Sequence, residues 1–464
     1  MANNKTDIVM KSGLQVDKEL LENISHLLEI GADKSILNIL RDLHPADIAE
    51  IINNLNLDNA EKLFSLLDTE TASDVLPELD ENQREFILKK IDKKTITDIV
   101  DELKTDDATD IVSELPENVA EHVLDNIDKE DSEDVKKLLK YPEDSAGGIM
   151  TSDFVFVHES GTVKDAIKEV RKHAEEFDQI YHIYVLTDDE KLVGIVQLKS
   201  LLTNPLHKRI KSIMEKDLIY VTPDIDQEEV ANIMDKYDLV AIPVVDKNRV
   251  MLGRITIDDI IEVIQEEASE DLQKIAGLSE EQESSDSIFQ ISRIRLPWLL
   301  MVLILEIING LLLSTFQATI QQQITATFFI PVIMAIGGSS GNQAAVVMVR
   351  SLALGEVLHS KTLKRLLKEL GVALLNGIAC AIIILLATQL VFSSNEVPLS
   401  FSLLLSGTLL IIISYATLFG ASIPLILKRF GIDPAVAASP LVSTANDIFG
   451  LLIYFSLVTL FYTA

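Results

Sequence analysis

The chain has 464 residues, of which 48% are hydrophobic, and it combines a formal net charge of -32 with a mean hydropathy of +0.25. A single soluble domain does not combine so apolar a composition with so large a charge, so the chain has parts of different character. The negative charge also argues against nucleic acid as a partner.

The negative charge is concentrated in the first part of the chain. From Arg293 onward there are nine Lys or Arg and six Asp or Glu. The residues before Arg293 include 31 Lys or Arg and 66 Asp or Glu. The stretch MANNKTDIVMKSG lacks the apolar core of a signal peptide, which predicts a cytosolic location for the acidic half. The single cysteine, Cys380, excludes an intrachain disulfide.

A short acidic pattern recurs between about residues 40 and 140, with starts at Asp68, Asp92, Lys104 and Asp128 that are separated by multiples of 12. Each unit opens with acidic or hydroxyl side chains suited to capping a helix and continues with Ile, Val and Leu. The pattern predicts an all-α superhelix of short stacked helices. Capping and solubility are the simpler roles for these acids, and the binding of divalent cations is the alternative.

A second repeat follows, in which strand and helix patterns alternate. IMTSDFVFV at Ile149 matches IMEKDLIYV at Ile213, and LVGIVQLKSLL at Leu192 matches LGRITIDDII at Leu252. Two such units are predicted to pair into one α/β module. The repeat has no glycine-rich phosphate loop and no catalytic triad, which favours a regulatory or scaffolding role over catalysis.

The residues from Val263 to Arg293 predict a long acidic helix that leads to the first apolar segment. Such a helix serves either as a spacer or as the element that connects a soluble sensor to a gate.

Five apolar runs are long enough to cross a bilayer, which predicts an all-α membrane domain with five transmembrane helices. They lie near residues 296–316, 325–349, 367–392, 401–427 and 435–461. Every base of this half lies before the first run, between the second and third, or between the fourth and fifth. The positive-inside rule therefore places the N-terminal half in the cytosol and the C-terminus outside.

Two acids lie within these runs, Asp447 in PLVSTANDIFGLLIYF and Glu306 in LPWLLMVLILEIINGLLLS. An acid at mid-membrane costs about 2.5–3.5 kcal/mol on insertion scales and usually faces a polar path. A protonated carboxyl in a buried hydrogen bond between helices is the structural alternative for each.

The second run contains IGGSSGNQAA, where Gly337, Gly338 and Gly341 precede Asn342 and Gln343. Small residues serve close helix packing, and together with amide oxygens they also suit a hydrated ion path. Pro424, Pro434 and Pro440 are predicted to break the fourth and fifth helices. A membrane enzyme fits poorly, because no histidine lies in an apolar run and Asp447 is the only aspartate there.

These features together resemble the MgtE family of magnesium transporters over nearly the whole chain. The resemblance rests on the acidic helical region ending in YPEDSAGGIMT, the paired repeat, the connecting helix, RLPWL, GGSSGNQ, and Pro440 with Asp447. It implies an acidic N domain (1–145), a tandem CBS pair (146–265), a connecting plug helix (266–292) and a five-helix membrane domain (293–464).

The resemblance implies a homodimer whose ion path follows the subunit interface, with Asp447 of each copy holding hydrated Mg²⁺ and Asn342 supporting it. Magnesium dehydrates reluctantly and prefers one or two carboxylates with retained waters, which agrees with this arrangement. The resemblance also implies that cytosolic Mg²⁺ closes the pore by binding acids between the N domain, the CBS pair and the plug. Matching acids are Asp106, Asp110, Asp258, Asp259, Glu266, Glu267, Glu270 and Asp271.

CBS domains often bind adenine nucleotides through a Thr and an Asp, which implies ATP as a ligand near Thr256 and Asp259 of the second unit. The first unit has Gln197 and Ser200 at these positions instead.

Glu306 and Asn446, which precedes Asp447, depart from the family signature and raise an alternative in which a second carboxylate binds sodium or a proton. The sequence thus predicts a regulated Mg²⁺ transporter of the bacterial inner membrane and not an enzyme. A sodium- or proton-coupled exchanger is the alternative. An anchored sensor would leave the intramembrane polar residues unexplained.

Overall fold

The computed structural model describes residues 18–174, 177, 179–278, 288–353, 362–392, 397–437 and 440–462. The chain forms two compact units, Met1–Ile264 and Gln265–Ala464.

From residue 18 onward, ten short helices are described in the first part of the first unit, and they surround one apolar core made largely by their Ile, Leu and Val side chains. This arrangement confirms the predicted all-α superhelix. The helices are α1 (Lys18–Glu29), α2 (Asp33–Leu40), α3 (Pro45–Asn53), α4 (Leu57–Phe64), α5 (Thr69–Val75), α6 (Glu81–Lys90), α7 (Lys93–Val100), α8 (Thr105–Glu114), α9 (Glu117–Asn126) and α10 (Lys129–Leu138).

The repeated acids begin these helices as the sequence predicts. Asp68 accepts a hydrogen bond from the Thr71 amide at 2.9 Å, and Asp92 and Asp128 cap α7 and α10 in the same way. The fourth start is different, because Lys104 cannot cap α8 with its side chain. The Thr105 amide instead donates to Asp153 Oδ2 at 3.3 Å, so the cap of α8 comes from a residue beyond the helical region.

The second part of the first unit consists of two similar α/β halves. Its elements are β1 (Phe156–His158), α11 (Val163–Lys172), β2 (His182–Leu186), β3 (Leu192–Gln197), α12 (Leu198–Thr203), α13 (Gln227–Lys236), β4 (Ala241–Val245), β5 (Met251–Thr256) and α14 (Ile257–Ala276). β1 is parallel to β2, β2 is antiparallel to β3, and β4 is antiparallel to β5. A parallel bridge between Val221 and Val244 repeats the β1–β2 pairing in the second half. The predicted α/β pair is therefore confirmed.

The segment after α10 joins the helical part to β5. Thr151 and Arg254 exchange both backbone hydrogen bonds at 2.9 Å, and a Cβ on Gly253 would lie 2.5 Å from the Thr151 carbonyl oxygen. The segment can lie against β5 because residue 253 is glycine. This pairing holds the residues that contact the start of α8.

The second unit contains five helices long and apolar enough to cross a membrane, which confirms the predicted number among the described residues. They are α15 (Ile288–Thr315), α17 (Ile330–Ala353), α18 (Thr362–Val391), α19 (Leu399–Arg429) and α20 (Pro440–Tyr462), and a short helix α16 (Gln317–Gln322) precedes a 3₁₀ turn at Ile324–Phe329. A second 3₁₀ turn, Pro434–Ala437, lies between α19 and α20.

The connecting helix differs from the expectation in both of its ends. α14 begins at Ile257, directly after β5, and ends at Ala276, where Gly277 adopts a left-handed φ of 85°. A glycine in this conformation commonly ends a helix. A continuous helix to Arg293 was therefore a wrong expectation, and residues 279–287 lie outside the described part of the chain.

The predicted helix breaks are also only partly correct. Pro424 lies inside α19, which continues to Arg429, and the glycines of α17 do not interrupt that helix. Pro440 is the first residue of α20, where its missing N–H leaves no helical hydrogen bond unmade.

Glycines instead allow α17, α19 and α20 to approach closely. A Cβ on Gly420 of α19 would lie 2.0 Å from the Gly341 carbonyl oxygen, and a Cβ on Gly341 would lie 1.9 Å from Asn446 Nδ2. No side chain separates the backbones of α17 and α19 at this crossing. Of the two alternatives for GGSSGNQ, close packing therefore accounts for Gly341, whereas Gly338 faces open space.

We expect Gly420→Ala to lower the melting temperature of the purified protein in detergent by several degrees, because a methyl group there must push against backbone. Overpacking of this kind costs about 1–3 kcal/mol. Gly407→Ala is the matched control in the same helix, because a Cβ at Gly407 meets nothing within 4 Å. That variant should melt at or above the wild-type temperature, since alanine favours a helix over glycine by about 1 kcal/mol. Equal melting temperatures for the two variants would contradict the close crossing.

Candidate functional site

Asp447 lies two turns into α20 and directly follows the buried residue Asn446 in sequence. Asn446 is only 1% exposed, and neither its Nδ2 nor its Oδ1 has a hydrogen-bond partner among the described residues. An unpaired buried amide costs free energy, so its retention points to a partner that is a water or an ion. Asp447 itself is half-buried.

The second membrane helix contributes Asn342, which follows the glycine in contact with Asn446. The Oδ1 atom of Asn342 is also buried and has no partner in the described structure. The contact between Gly341 and Asn446 therefore brings together two helices that each carry an unpartnered amide oxygen, and Asp447 follows Asn446 on one of them. Carboxylate and amide oxygens are the protein ligands that hard divalent cations prefer.

A second polar pair lies on α15. Asn309 is 3% exposed and donates from Nδ2 to Glu306 Oε2 at 3.2 Å, while its own Oδ1 is buried without a partner in the described residues. Glu306 interacts electrostatically with Asp447, and α15 contacts α20. The two intramembrane carboxylates, Glu306 and Asp447, therefore interact electrostatically across two helices.

The first unit gathers a group of acids around the start of α8. Asp106 is 9% exposed and its Oδ1 has no partner among the described residues, whereas Asp110 lies one turn further on the exposed side of the helix. The Thr105 hydroxyl lies 3.1 Å from the Thr151 hydroxyl and accepts a hydrogen bond from the Ser152 hydroxyl at 3.0 Å. These contacts fix the first turn of α8 against the segment that pairs with β5.

The carboxylates of this group lie close enough together to repel one another. Burial, followed by repulsion from Asp107, Asp259 and Asp153, raises the pKa of Asp106 well above its ordinary value. Burial likewise raises the pKa of Asp107 to about 6, although Lys104 opposes the shift. Burial would lower the pKa of Lys104, but the surrounding carboxylates outweigh it and raise that pKa. A cation is therefore strongly favoured at this place.

The residues predicted to bind a nucleotide lie in the same group. The Thr256 hydroxyl is within hydrogen-bond distance of Asp259 Oδ2, at 2.8 Å, and of Asp258, and it can donate to one of them at a time. Burial and then repulsion from Asp258 raise the pKa of Asp259. Asp259 also interacts with Asp106 and Asp107, so it faces the acids of α8.

The remaining predicted acids lie further along α14, in the part of this helix from Gln265 onward that belongs to the second unit. Glu266 is exposed, Glu267 and Glu270 are partly buried, and Asp271 has a pKa raised to about 6 by burial and then by repulsion from Asp433. The predicted regulatory acids thus fall into two groups, one in each unit.

No three His, Cys, Asp or Glu side chains converge tightly enough to hold a metal ion within the described ranges. The acids at the start of α8 interact electrostatically with one another and with Asp259.

Sequence reasoning missed three residues of the acid group in the first unit: Asp107, Asp153 and Lys104. Asp107 adjoins Asp106 in TDDATD, but a charged first turn is common in helices. The signal for Lys104 and Asp153 was that Lys104 is a lysine in a series of capping acids. A helix that lacks a capping side chain at its own start needs one from elsewhere in the chain, and here Asp153 supplies it.

Three known protein families match parts of the chain. A model described as a divalent cation transporter, MgtE, matches residues 330–457, and the MgtE intracellular N domain matches residues 43–144. The CBS domain matches residues 146–206 and 210–266.

Curated relatives match along nearly their whole length. The magnesium transporter MgtE of Bacillus subtilis is 31% identical over 96% of this chain and 97% of its own, and that of Thermus thermophilus is 30% identical over 96% and 99%. A crystal structure of the cytosolic domain of the Mg²⁺ channel MgtE in complex with ATP is 30% identical, with a TM-score of 0.50, and covers 52% of this chain and 99% of that one. The chain therefore belongs to the MgtE family of magnesium transporters.

Proposed function

We propose that two copies of this chain form a pore that conducts Mg²⁺, and that Asp447 is its principal ion ligand. The observation that carries the proposal is the carboxylate two turns into an apolar helix, directly after Asn446, whose buried amide has no partner among the described residues. An ion-binding role explains both the cost of the acid and the unmade hydrogen bonds. Asn342 supplies a further amide oxygen from α17.

Two copies are proposed because one chain brings too few carboxylates together. A two-fold axis beside α20 would pair the Asp447 side chains, which gives the two carboxylates that Mg²⁺ accepts while it keeps part of its water shell. Each Mg²⁺ would then bind strongly enough to enter the pore and weakly enough to leave it.

The proposed membrane is the bacterial inner membrane, with the N-terminal unit in the cytosol and the C-terminus outside. The distribution of bases supports this orientation. Arg350 lies in the last turn of the second membrane helix, Lys428 and Arg429 lie in the last turn of the fourth, and Arg293 and Arg295 lie near the start of α15. Cytosolic acids would then face the compartment whose Mg²⁺ is controlled.

Regulation is proposed to act through repulsion among carboxylates. Two groups of acids take part, and within each group the carboxylates repel one another when Mg²⁺ is scarce: Asp106, Asp110, Asp258 and Asp259 in the first unit, and Glu266, Glu267, Glu270 and Asp271 in the second. Bound Mg²⁺ supplies the positive charge that offsets this repulsion, so the compact and closed arrangement becomes more populated. The buried and unpartnered Oδ1 of Asp106 supports a ligand at this place.

ATP is a further proposed ligand of the CBS pair. Asp259 could accept hydrogen bonds from ribose hydroxyl groups, and Thr256 could donate to a phosphate once released from the carboxylates. The acids of α8 disfavour a bare triphosphate, so we propose that any nucleotide binds there with Mg²⁺.

An exchanger that couples Mg²⁺ to sodium or protons is the second candidate. The observation that favours it is the Glu306–Asn309 pair, whose carboxylate interacts with Asp447 and whose amide oxygen is unpartnered among the described residues. A second carboxylate near the first could bind the coupling ion in alternation with Mg²⁺.

Asp447→Asn should lower Mg²⁺ flux into proteoliposomes at least tenfold, because it removes the charge and keeps the shape. Flux is measured with a Mg²⁺ dye inside the vesicles, and gel filtration verifies that the variant stays monodisperse. Wild-type flux in this variant would show that Asp447 is not the principal ion ligand.

Glu306→Gln separates the channel from the exchanger. A channel should retain flux that follows the Mg²⁺ gradient and voltage in this variant. An exchanger should require an opposing sodium or proton gradient in the wild type and lose flux with Glu306→Gln. The two outcomes are distinguished by measuring both proteins with and without each counter-gradient.

Asp106→Asn should make transport less sensitive to cytosolic Mg²⁺. We expect the ratio of flux without Mg²⁺ to flux with millimolar Mg²⁺ on the cytosolic side to fall by roughly fivefold or more, the lower range of typical coupling between sites. Glu117→Gln, an exposed acid at the start of α9, makes the same charge change outside the group and should retain the wild-type ratio. An unchanged ratio in Asp106→Asn would remove this residue from the regulatory site.

A further inference from the structure

The last turn of α14 contains a lysine that pairs with two acids. Lys274 Nζ lies 2.6 Å from Glu270 Oε1 within the same helix and 2.6 Å from Asp433 Oδ2, which follows α19. The Lys274 side chain is 24% exposed, so the pair with Asp433 is partly shielded from water. Shielding makes an ion pair stronger than the common exposed pair on a helix surface.

Asp433 occupies the start of the segment that leads into α20. Its Oδ1 accepts a hydrogen bond from the Ala435 amide at 2.8 Å, which fixes the 3₁₀ turn at Pro434–Ala437. α20 begins at Pro440, and Asp447 lies two turns into it. The carboxylate bound by Lys274 thus belongs to the segment that sets where the proposed pore helix begins.

The residue next to Lys274 provides an apolar contact at the same place. Ile275 packs against a cluster of Ala345 and Val349 from α17, Ala435 from the 3₁₀ turn, and Val442 from α20. The end of α14 is therefore attached to the membrane helices at two adjacent points, one ionic and one apolar. The apolar contact is not directional. The ion pair is specific, because it joins Lys274 of α14 to Asp433.

The charges around Lys274 make the attachment depend on that lysine. Glu267, Glu270, Asp271 and Asp433 all interact with this part of α14, and Lys274 is the cation that pairs with two of them. Removing its charge would leave Asp433 facing the acids of α14, which repel it. The contact would then change from attractive to repulsive.

We propose that Lys274 is a positioning residue that couples α14 to the pore helix α20 by holding Asp433. The inference rests on the proposed regulation, in which Mg²⁺ bound to the acids of α14 changes the state of the pore. A displacement of α14 would move Asp433, and with it the 3₁₀ turn and the first turn of α20. Without the ion pair, Mg²⁺ would still bind α14 but its effect would not reach Asp447.

Lys274→Met and Asp433→Asn test the coupling from its two sides. Asp433→Asn keeps an oxygen to accept from the Ala435 amide, so it removes charge without removing the cap. We expect both variants to transport Mg²⁺ when cytosolic Mg²⁺ is low, with a ratio of uninhibited to inhibited flux that falls toward one. Lys274→Arg should restore the wild-type ratio because it keeps the charge.

Lys428→Met is the matched control, since Lys428 is also a lysine of the second unit and its Nζ contacts the Leu352 carbonyl oxygen at 3.5 Å instead of an acid. It should keep the wild-type ratio. Wild-type ratios in both Lys274→Met and Asp433→Asn would overturn the proposal.

Hydrogen exchange of the full-length protein in detergent separates this inference from the proposed regulation. Lys274→Met should speed amide exchange at residues 432–437 relative to both the wild type and Lys428→Met, whether or not Mg²⁺ is present. A wild type that Mg²⁺ does not inhibit would contradict the proposed regulation, and the exchange rates would still decide whether Lys274 holds this turn. Equal exchange rates in all three proteins would overturn the attachment itself.

Discussion

A polar group removed from water costs several kcal/mol unless another group satisfies it, and this constraint organises both candidate sites. In the membrane half the cost falls on Asp447 and on the amides of Asn342 and Asn446. In the first unit it falls on Asp106, whose Oδ1 lacks a partner among the described residues. A fold that only needed stability would replace these side chains with apolar ones. The hydrated cation that we propose at each place would satisfy these groups.

Much of the fold could be predicted from the sequence because its periodicities are strong. Five apolar runs predict five helices, and two internal repeats predict the helical region and the α/β pair. The failures occurred where tertiary contacts override local preference. Pro424 remains inside α19, which continues to Arg429, although a proline usually breaks a helix. The end of α14 depends on the left-handed conformation of Gly277, and a lone glycine does not reveal this in advance.

The candidate sites could be predicted only as regions. Asp447 was evident because an acid is costly in an apolar run, and Asn446 adjoins it. The partner of a side chain from another element could not be predicted, because spacing along one helix contains no information about its neighbours. Asp153 caps α8 from 48 positions away, and Asp433 reaches Lys274 from beyond four membrane helices. One local irregularity, Lys104 in a series of capping acids, did indicate such a long-range contact.

The glycine crossing has a consequence for how the membrane half can move. At Gly341 and Gly420 the backbones of α17 and α19 meet without intervening side chains, and Asn446 fills the space beside them. Interlocked backbones cannot slide past one another by changing rotamers, as helices separated by long side chains can. These three helices therefore behave mechanically as a single stiff body. α15 is mostly exposed within the chain and packs chiefly against α20. Any alternating motion during transport would thus take place along the surface between α15 and that body, and the electrostatic interaction of Glu306 with Asp447 crosses this surface.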